Sequence, residues 1–246
     1  LIAACATNIA GRKQISLVSE SEAIGASAQA YQQTLEPYAK ERRLDNNAKL
    51  VRRVNTITDR LIVEAKKMRP DTKKWAWEVK VLDDPETVNA WCMAGGKMAI
   101  YTGLIQKLNA TDDEIAQVMG HEISHALANH SVERMSIAIA SNMAVEMVNA
   151  AGGQSAGSLT AVAAQVALTL PNSRTGESEA DKIGIELAAK AGYDPNAAVT
   201  LWQKMGKVSG GGGVEFLSTH PSPKNREKEL RKLIPKMMPY YQAAKR

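Results

Sequence analysis

Two histidines and a glutamate form the clearest chemical motif of the chain. His121, Glu122 and His125 make the pattern H-E-x-x-H. Helical residues four apart lie one turn apart on the same side, so both imidazoles can ligate one zinc ion. Glu122 points about 100° around the helix and can act on a water molecule without being a ligand. This arrangement is typical of metal-assisted hydrolysis and predicts Glu122 as the catalytic base.

A third protein ligand is expected from an acidic pair further along the chain. Glu177 and Asp181 are four residues apart and share one face of a second predicted helix. If the two helices cross, Glu177 completes the site and a fourth position stays open. Asp181 would then bind the outer nitrogen of a ligand imidazole. Glu179 is the competing ligand candidate but points off that face. We therefore predict one zinc ion per chain, held by two histidines and Glu177.

The helix that must carry the first motif is predicted from its own pattern. Thr111 or Asp112 can cap its start, and acidic residues in the first turn suit the helix dipole. Apolar residues then recur at helical spacing as far as about His130. The segment 111–130 is therefore expected to form one amphipathic helix.

Two strands are expected just before this helix. Trp75 to Leu82 alternates between apolar and polar residues, and Lys97 to Thr102 follows a tight turn at Gly95-Gly96. A strand beside the metal could offer its free edge to a substrate in extended form. A plain core hairpin fits the same residues equally well. The predicted fold class is α+β, mostly helical, with a small sheet beside the H-E-x-x-H helix.

The composition is that of an ordinary globular chain. Of the 246 residues, 44% are hydrophobic, 23% are charged and 4% are aromatic, which favours packed helices over a β-sandwich. The net charge is +5, but lysines and arginines alternate with acidic residues along several predicted helices. We interpret them as solvated helix faces and expect no nucleic-acid partner.

A long uncharged stretch does not predict a membrane span. No charged residue occurs between Met147 and Ser173, but glycines and serines interrupt this stretch at 152–158. The remaining apolar run, Leu159 to Leu170, is too short for a bilayer, which needs about 20 residues. We expect a helix packed against the core, or a flap over the site.

The first residues indicate a lipid anchor. Leu1 to Cys5 resembles the end of a bacterial lipoprotein signal peptide, with Cys5 as the lipidated residue. By the same resemblance, Ala6 would direct the protein to the outer membrane. The alternative is a fragment boundary with an accidental cysteine. Cys92 is expected to be a small buried residue rather than half of a disulfide.

These elements give a simple domain prediction. Residues 1–18 are expected to be a signal remnant and a tether, and residues 19–246 a single metallopeptidase domain. Within it, 19–70 would be a bracing pair of helices without catalytic residues, and 71–246 the catalytic core.

The motifs together resemble a known family. H-E-I-S-H, then R-x-x-E-x-x-A-D and A-G-Y-D-P, is similar to the HtpX/CAAX-prenyl-protease family of zinc peptidases, over about Trp75 to Arg226. The pattern is most similar to soluble bacterial lipoprotein or periplasmic members, the BepA- and LoiP-like proteins. The resemblance implies a zincin-like (gluzincin) endopeptidase acting on misfolded or misassembled envelope proteins. It also implies His121, His125 and Glu177 as ligands and Glu122 as base.

Further candidates follow from the resemblance. His220 and Arg226 match a family element H-P-x-x-x-x-R close to the active site. His220 could donate to the oxyanion, or cap the zinc as a fourth ligand in a latent state. Arg226 and Arg174 are candidates for contacts with substrate or carboxylates. His130 does not match the third ligand of the metzincins, so it is expected to pack beside the site or to support a ligand from outside it.

Two functions stay open at this point. The first is a zinc endopeptidase, facing the periplasm of a bacterial cell and anchored at Cys5, that binds unfolded or misassembled proteins in extended form. The second is a latent or chaperone-like envelope lipoprotein that rarely cleaves, with its site held shut by segment 147–171 and the glycine-rich loop 210–213. A purely structural zinc site is disfavoured because it would not need Glu122.

Overall fold

The computed structural model describes residues 5–148, 159–209, 215–220 and 225–245. Within these ranges the fold is mostly helical, with one small sheet and one short hairpin. The elements are β1 (Cys5–Thr7), β2 (Lys13–Ile15), α1 (Glu20–Lys40), α2 (Ala48–Met68), a 3₁₀ turn (Pro70–Lys74), β3 (Glu78–Leu82), β4 (Ala90–Met93), β5 (Lys97–Tyr101), α3 (Thr102–Lys107), α4 (Asp112–Leu127), α5 (His130–Val148), α6 (Leu159–Leu168), α7 (Arg174–Lys190), α8 (Ala197–Ser209), α9 (Glu215–Thr219) and α10 (Arg226–Ala244). The predicted fold class is confirmed.

Helix α4 begins where its cap predicts and ends earlier than its periodicity predicts. The Thr111 hydroxyl accepts from the Glu114 N–H, and the Glu114 carboxylate accepts from the Thr111 N–H. The helix stops at Leu127 because Asn129 adopts a left-handed conformation, with φ of 56°. The chain then turns into α5 at His130. The expected single helix over 111–130 is therefore two helices joined by a turn.

The sheet has three strands in the order β3-β5-β4. β5 is central, parallel to β3 and antiparallel to β4. Gly95 and Gly96, with φ of +82° and +80°, make the turn between β4 and β5. The prediction missed β4, because its residues A-W-C-M are buried on both faces and do not alternate.

Both faces of the sheet are covered. Ala90 and Cys92 of β4 face the core shared with α2 and α4, and Trp91 and Met93 face the core shared with α1 and α6. α6 contacts α1, α5 and β4. None of the helices in the described ranges is long and apolar enough to cross a membrane. The sheet and α4 therefore form a rigid base for the histidines.

The N-terminal segment is folded, which corrects the prediction of a tether over 6–18. β1 and β2 pair in an antiparallel hairpin, and Asn8 and Gln14 are buried. Arg12 at the turn pairs with Glu133 of α5 and Glu179 of α7, both 2.7 Å away. These charged pairs hold the hairpin on the core. Cys5 is exposed, and the first four residues of the predicted lipid-anchor motif lie outside the described ranges.

Candidate metal centre

The site exists because α4 and α7 approach each other closely. Gly184 lies two turns beyond Glu177 on the same face of α7, and a Cβ there would lie 2.9 Å from the Cα of His121. On α4, a Cβ at Gly120 would lie 3.0 Å from the Gly184 carbonyl oxygen. With glycine at both positions the backbones meet, and Glu177 is brought against the two histidines.

Gly184→Ala is expected to lower stability, since the added methyl meets backbone atoms of α4 that cannot rotate away. Overpacking of this kind costs about 1–3 kcal/mol. Urea unfolding of the zinc-loaded protein measures it. Gly25→Ala in α1 is the matched control, because a Cβ at Gly25 meets no described atom within 4 Å. That control should unfold like the parent or be stabilised by up to about 1 kcal/mol. Equal stability of the two variants would contradict the close-packing interpretation.

Four buried side chains converge on one point. The Nε2 atoms of His121 and His125 are 3.1 Å apart, and they lie 3.4 and 3.2 Å from oxygens of Glu177. His220 is the fourth member, and the four ligand atoms all lie within 4.8 Å of one another. This is the single metal-binding cluster found in the described part of the chain. The structure thus brings together the three predicted ligands and His220.

The donor set fits zinc. Imidazole nitrogens and a carboxylate are zinc ligands, and a tetrahedral ion with bonds of about 2.0–2.2 Å holds its donor atoms about 3.3–3.6 Å apart. The nitrogens and oxygens here are 3.1–3.4 Å apart. Oε1 of Glu177 is buried and has no hydrogen-bond partner in the structure. A cation satisfies this atom and both imidazoles at once, and zinc is the cofactor.

Glu122 lies beside the ligands and outside the ligand set. Its carboxylate is buried, and its Oε1 has no hydrogen-bond donor and lies 3.2 Å from Nε2 of His220. Burial raises the pKa of Glu122 to about 8, with the Glu177 charge adding to the rise and the charge of His121 opposing it. A carboxylate with a raised pKa beside a metal site is suited to exchanging protons near neutral pH.

Asp181 and Arg226 lie where the sequence predicts outer contacts. Oδ1 of Asp181 is 3.1 Å from Nδ1 of His121. Arg226 donates to Glu177 at 3.0 Å and to Asp181 at 2.5 Å, and its guanidinium stacks 3.5 Å from the Trp202 ring centroid. Arg226 therefore pairs with both carboxylates and orients them.

Arg174 does not contact the carboxylates of the site, and its contact with a substrate stays a prediction. Its side chain is exposed at the first residue of α7, and it makes no hydrogen bond or ion pair to any described residue. The carboxylates of Glu177 and Asp181 pair instead with Arg226, the first residue of α10.

His220 is held at the end of α9. Its Nδ1 lies 3.1 Å from the Phe216 carbonyl oxygen and 2.9 Å from the Thr219 hydroxyl, and the Phe216 ring stacks on it. A carbonyl oxygen only accepts, so Nδ1 carries the proton and Nε2 presents a lone pair to the cluster. Burial lowers the pKa of His220 to about 3, which keeps the ring neutral. The predicted loop at 210–213 lies outside the described residues.

Sequence reasoning did not single out Arg134, whose charge acts on the carboxylates of the site. Its Nη1 donates to the Leu170 carbonyl oxygen, and its buried Nε has no hydrogen-bond partner. Burial lowers its pKa to about 10, against the attraction of the Glu122 and Glu177 carboxylates. The sequence places Arg134 one turn after His130, on the same side of α5. The direction of α5 relative to the site depends on the turn at Asn129, which the sequence did not predict.

Comparisons with known proteins agree with this geometry. The model of peptidase family M48 matches residues 48–234. The chain is 41% identical over 159 residues to the mitochondrial metalloendopeptidase OMA1 of Arabidopsis thaliana, covering 63% of this chain and 31% of that protein. It is 32% identical to the metalloprotease YcaL of Escherichia coli over 150 residues, covering 60% and 58% of the two chains. Identity to the Escherichia coli metalloprotease LoiP is 31% over 148 residues, covering 58% of each chain.

These matches support the resemblance at the level of the zinc metallopeptidase family. They do not single out the bacterial lipoprotein members, because mitochondrial proteins match alongside LoiP and YcaL. The chain spans about a third to a half of the length of the fungal and plant relatives.

Proposed function

The chain belongs to peptidase family M48, and on that premise we propose that it is a zinc-dependent endopeptidase. One observation carries the proposal. Glu122 is buried beside the cluster of His121, His125 and Glu177 and is not part of it. A structural zinc site has no use for such a carboxylate, whereas hydrolysis needs one.

Each residue has a defined part in the reaction. Zinc, when bound by the two histidines and Glu177, supplies a Lewis acid that polarises the scissile carbonyl. Glu122 takes a proton from the attacking water and returns it to the leaving amine. Arg226 and Asp181 keep the ligands oriented, because Arg226 donates to Glu177 and Oδ1 of Asp181 lies 3.1 Å from Nδ1 of His121.

The proposed substrates are unfolded or misassembled proteins bound in extended form. β4 lies at the edge of the sheet and contacts α4. The Asn89 carbonyl oxygen accepts from the Tyr101 N–H, so the backbone groups of Asn89 point towards β5. Along a strand, the backbone groups of successive residues point alternately towards and away from a neighbouring strand. By that alternation the N–H and C=O groups of Cys92 point away from β5, where they can pair with an added strand. Backbone pairing demands no particular sequence, which suits quality control.

The proposed location is the bacterial cell envelope, with membrane attachment through a lipid on Cys5. The motif at residues 1–5 supports it, as does the exposure of Cys5. The family itself does not select a location, since relatives are named as mitochondrial as well as Escherichia coli proteins. Labelling with a fatty-acid analogue in bacteria that express the chain with a lipoprotein signal peptide tests the anchor. Equal labelling of a Cys5→Ser variant would refute it.

A specific observation favours the latent alternative as the resting state. The Nε2 lone pair of His220 faces the cluster, as a fourth ligand requires, and a neutral ring in this tautomer cannot donate to an oxyanion. All four cluster residues and Glu122 are buried. The cluster is therefore closed in this conformation, and a substrate requires His220 to leave the cluster.

Cleavage of an unfolded protein such as casein tests the proposal. The zinc-loaded chain is compared with a chelated sample, and zinc content is measured on both. Cleavage that depends on zinc supports the endopeptidase. Fully loaded protein that leaves casein intact supports the latent alternative, and protein that binds no zinc at all refutes both.

A further inference from the structure

A line of hydrogen bonds leaves the metal centre on the side of His125 that faces away from the cluster. Nδ1 of His125 lies 2.8 Å from Nδ1 of His130. The other nitrogen of His130, Nε2, lies 2.9 Å from Oε2 of Glu179. Both imidazoles are buried, and the Glu179 side chain is 13% exposed. The line therefore connects a predicted ligand to a carboxylate that ligates nothing.

The carboxylate fixes the protons along this line. Glu179 only accepts, so Nε2 of His130 carries a proton, and the Nδ1 of neutral His130 is an acceptor. Nδ1 of His125 must then be the donor, which leaves the lone pair of its Nε2 directed into the cluster. The reverse order would place a proton on the ligand nitrogen of His125 and prevent ligation.

The two ligand histidines are thus supported by two acidic residues of the same helix. Oδ1 of Asp181 lies directly beside Nδ1 of His121 at 3.1 Å, whereas Glu179 acts on His125 through His130. Partners of this kind orient ligand imidazoles and raise their basicity. Glu179, set aside as a ligand candidate, has an outer position in the site.

Glu179 is in turn held by the N-terminal hairpin, β1–β2 with its turn. Arg12 donates to Oε1 of Glu179 at 2.7 Å, and Asn8 donates to Oε2 at 2.8 Å. Arg12 also binds both oxygens of Glu133 at 2.7 Å. A third hairpin residue, Gln14, donates to the carbonyl oxygen of Ala128, the cap of α4. The hairpin therefore binds both the carboxylate and the end of the metal-binding helix.

We propose that the N-terminal hairpin is an outer part of the metal centre, and that Arg12 and Glu179 are positioning residues that hold His125 ready to ligate zinc. None of the hairpin residues belongs to the metal-binding cluster. Loss of Arg12 frees the Glu179 carboxylate to leave His130, which lets the His125 ring turn and its tautomer change. The proposal concerns zinc affinity, which is measured without a substrate. Its test therefore does not depend on the peptidase function.

The test is the zinc dissociation constant, measured by competition with a chromophoric chelator. Glu179→Ala is expected to bind zinc about 10–100-fold more weakly, as other losses of such partners do. Arg12→Ala should lose up to about tenfold, and Arg12→Lys should recover part of that loss because its charge still pairs with Glu179. Arg53→Ala is the matched control, since Arg53 pairs with Asp112 at the far end of α4. The control should stay within about twofold of the parent.

The melting temperature of the metal-free variants separates positioning from bracing. If the hairpin only braces the fold, Arg12→Ala and Glu179→Ala melt earlier while their zinc affinity stays within about twofold of the parent, and this result overturns the proposal. If Arg12→Ala does not fold, Glu179→Gln decides by the same criterion. It keeps the shape and an acceptor for His130 but removes the charge that Arg12 holds.

Discussion

Glu122→Gln is expected to abolish peptide hydrolysis and to leave zinc binding intact. Glu122 lies outside the four-residue cluster, so its loss removes no ligand. An amide cannot take a proton from water, and the loss of a general base typically costs about 10²–10⁴ in kcat. The fold should tolerate the change, because the amide matches the carboxyl in size. Burial raises the pKa of Glu122 to about 8, so a neutral group suits this position.

The measurement pairs casein cleavage with zinc content and melting temperature on the same samples. Glu186→Gln is the matched control, because Glu186 pairs with Lys190 on α7 away from the cluster. That control should cleave like the parent. A zinc-loaded, folded Glu122→Gln protein that still cleaves casein would show that another group is the base, and the proposed reaction would then be wrong.

The parts of the site that sequence could predict are those set by spacing within one helix. His121 and His125 are one turn apart, as are Glu177 and Asp181, and the structure places both pairs on facing sides of crossing helices. The start of α4 was also predictable, since a capping box involves residues only three apart.

The parts that sequence missed depend on contacts between distant segments. The Arg12–Glu179 and Arg12–Glu133 pairs join residues 167 and 121 positions apart. A charged residue in a short, aperiodic segment looks solvated until the fold supplies its partner. The same reason explains Arg174 and Arg226. Arg174 lies three residues before Glu177 in the sequence and Arg226 lies 49 residues after it, yet α10 brings only Arg226 to the carboxylates.

His130 shows how one backbone conformation can separate a pattern from its geometry. On a continuous helix His130, five residues after His125, would point to a different side of the helix from His125. The left-handed Asn129 ends α4 and starts a new helix at His130, which turns the imidazole back onto His125 at 2.8 Å. Asparagine tolerates this conformation better than most residues, but its presence does not compel it.

His125→Ala is expected to lose zinc and, with it, a large part of the stability of the folded chain. Removing this imidazole takes one of the donors that hold the cation, and it also breaks the line to His130. Alanine is a good helix former, so α4 itself should persist. Zinc present at about 1,000 times its dissociation constant stabilises the native state by about 4 kcal/mol. At about 2–4 °C for each kcal/mol, the variant should melt about 8–16 °C below the zinc-loaded parent.

Chelation of the parent protein provides the internal control for this prediction. Without the cation, the buried Oε1 of Glu177 has no partner in either protein, so the chelated parent should also melt well below the zinc-loaded parent, at or somewhat above His125→Ala. If the variant melts far below the chelated parent, the imidazole stabilises the fold by packing, independently of the metal. If the variant keeps zinc at the affinity of the parent, His125 is not a ligand. Nε2 of His125 lies 3.1 Å from Nε2 of His121 and 3.2 Å from Oε1 of Glu177, so it could stabilise the fold either through a shared metal ion or through packing. Chelation lowers the melting temperature of the parent only in the first case.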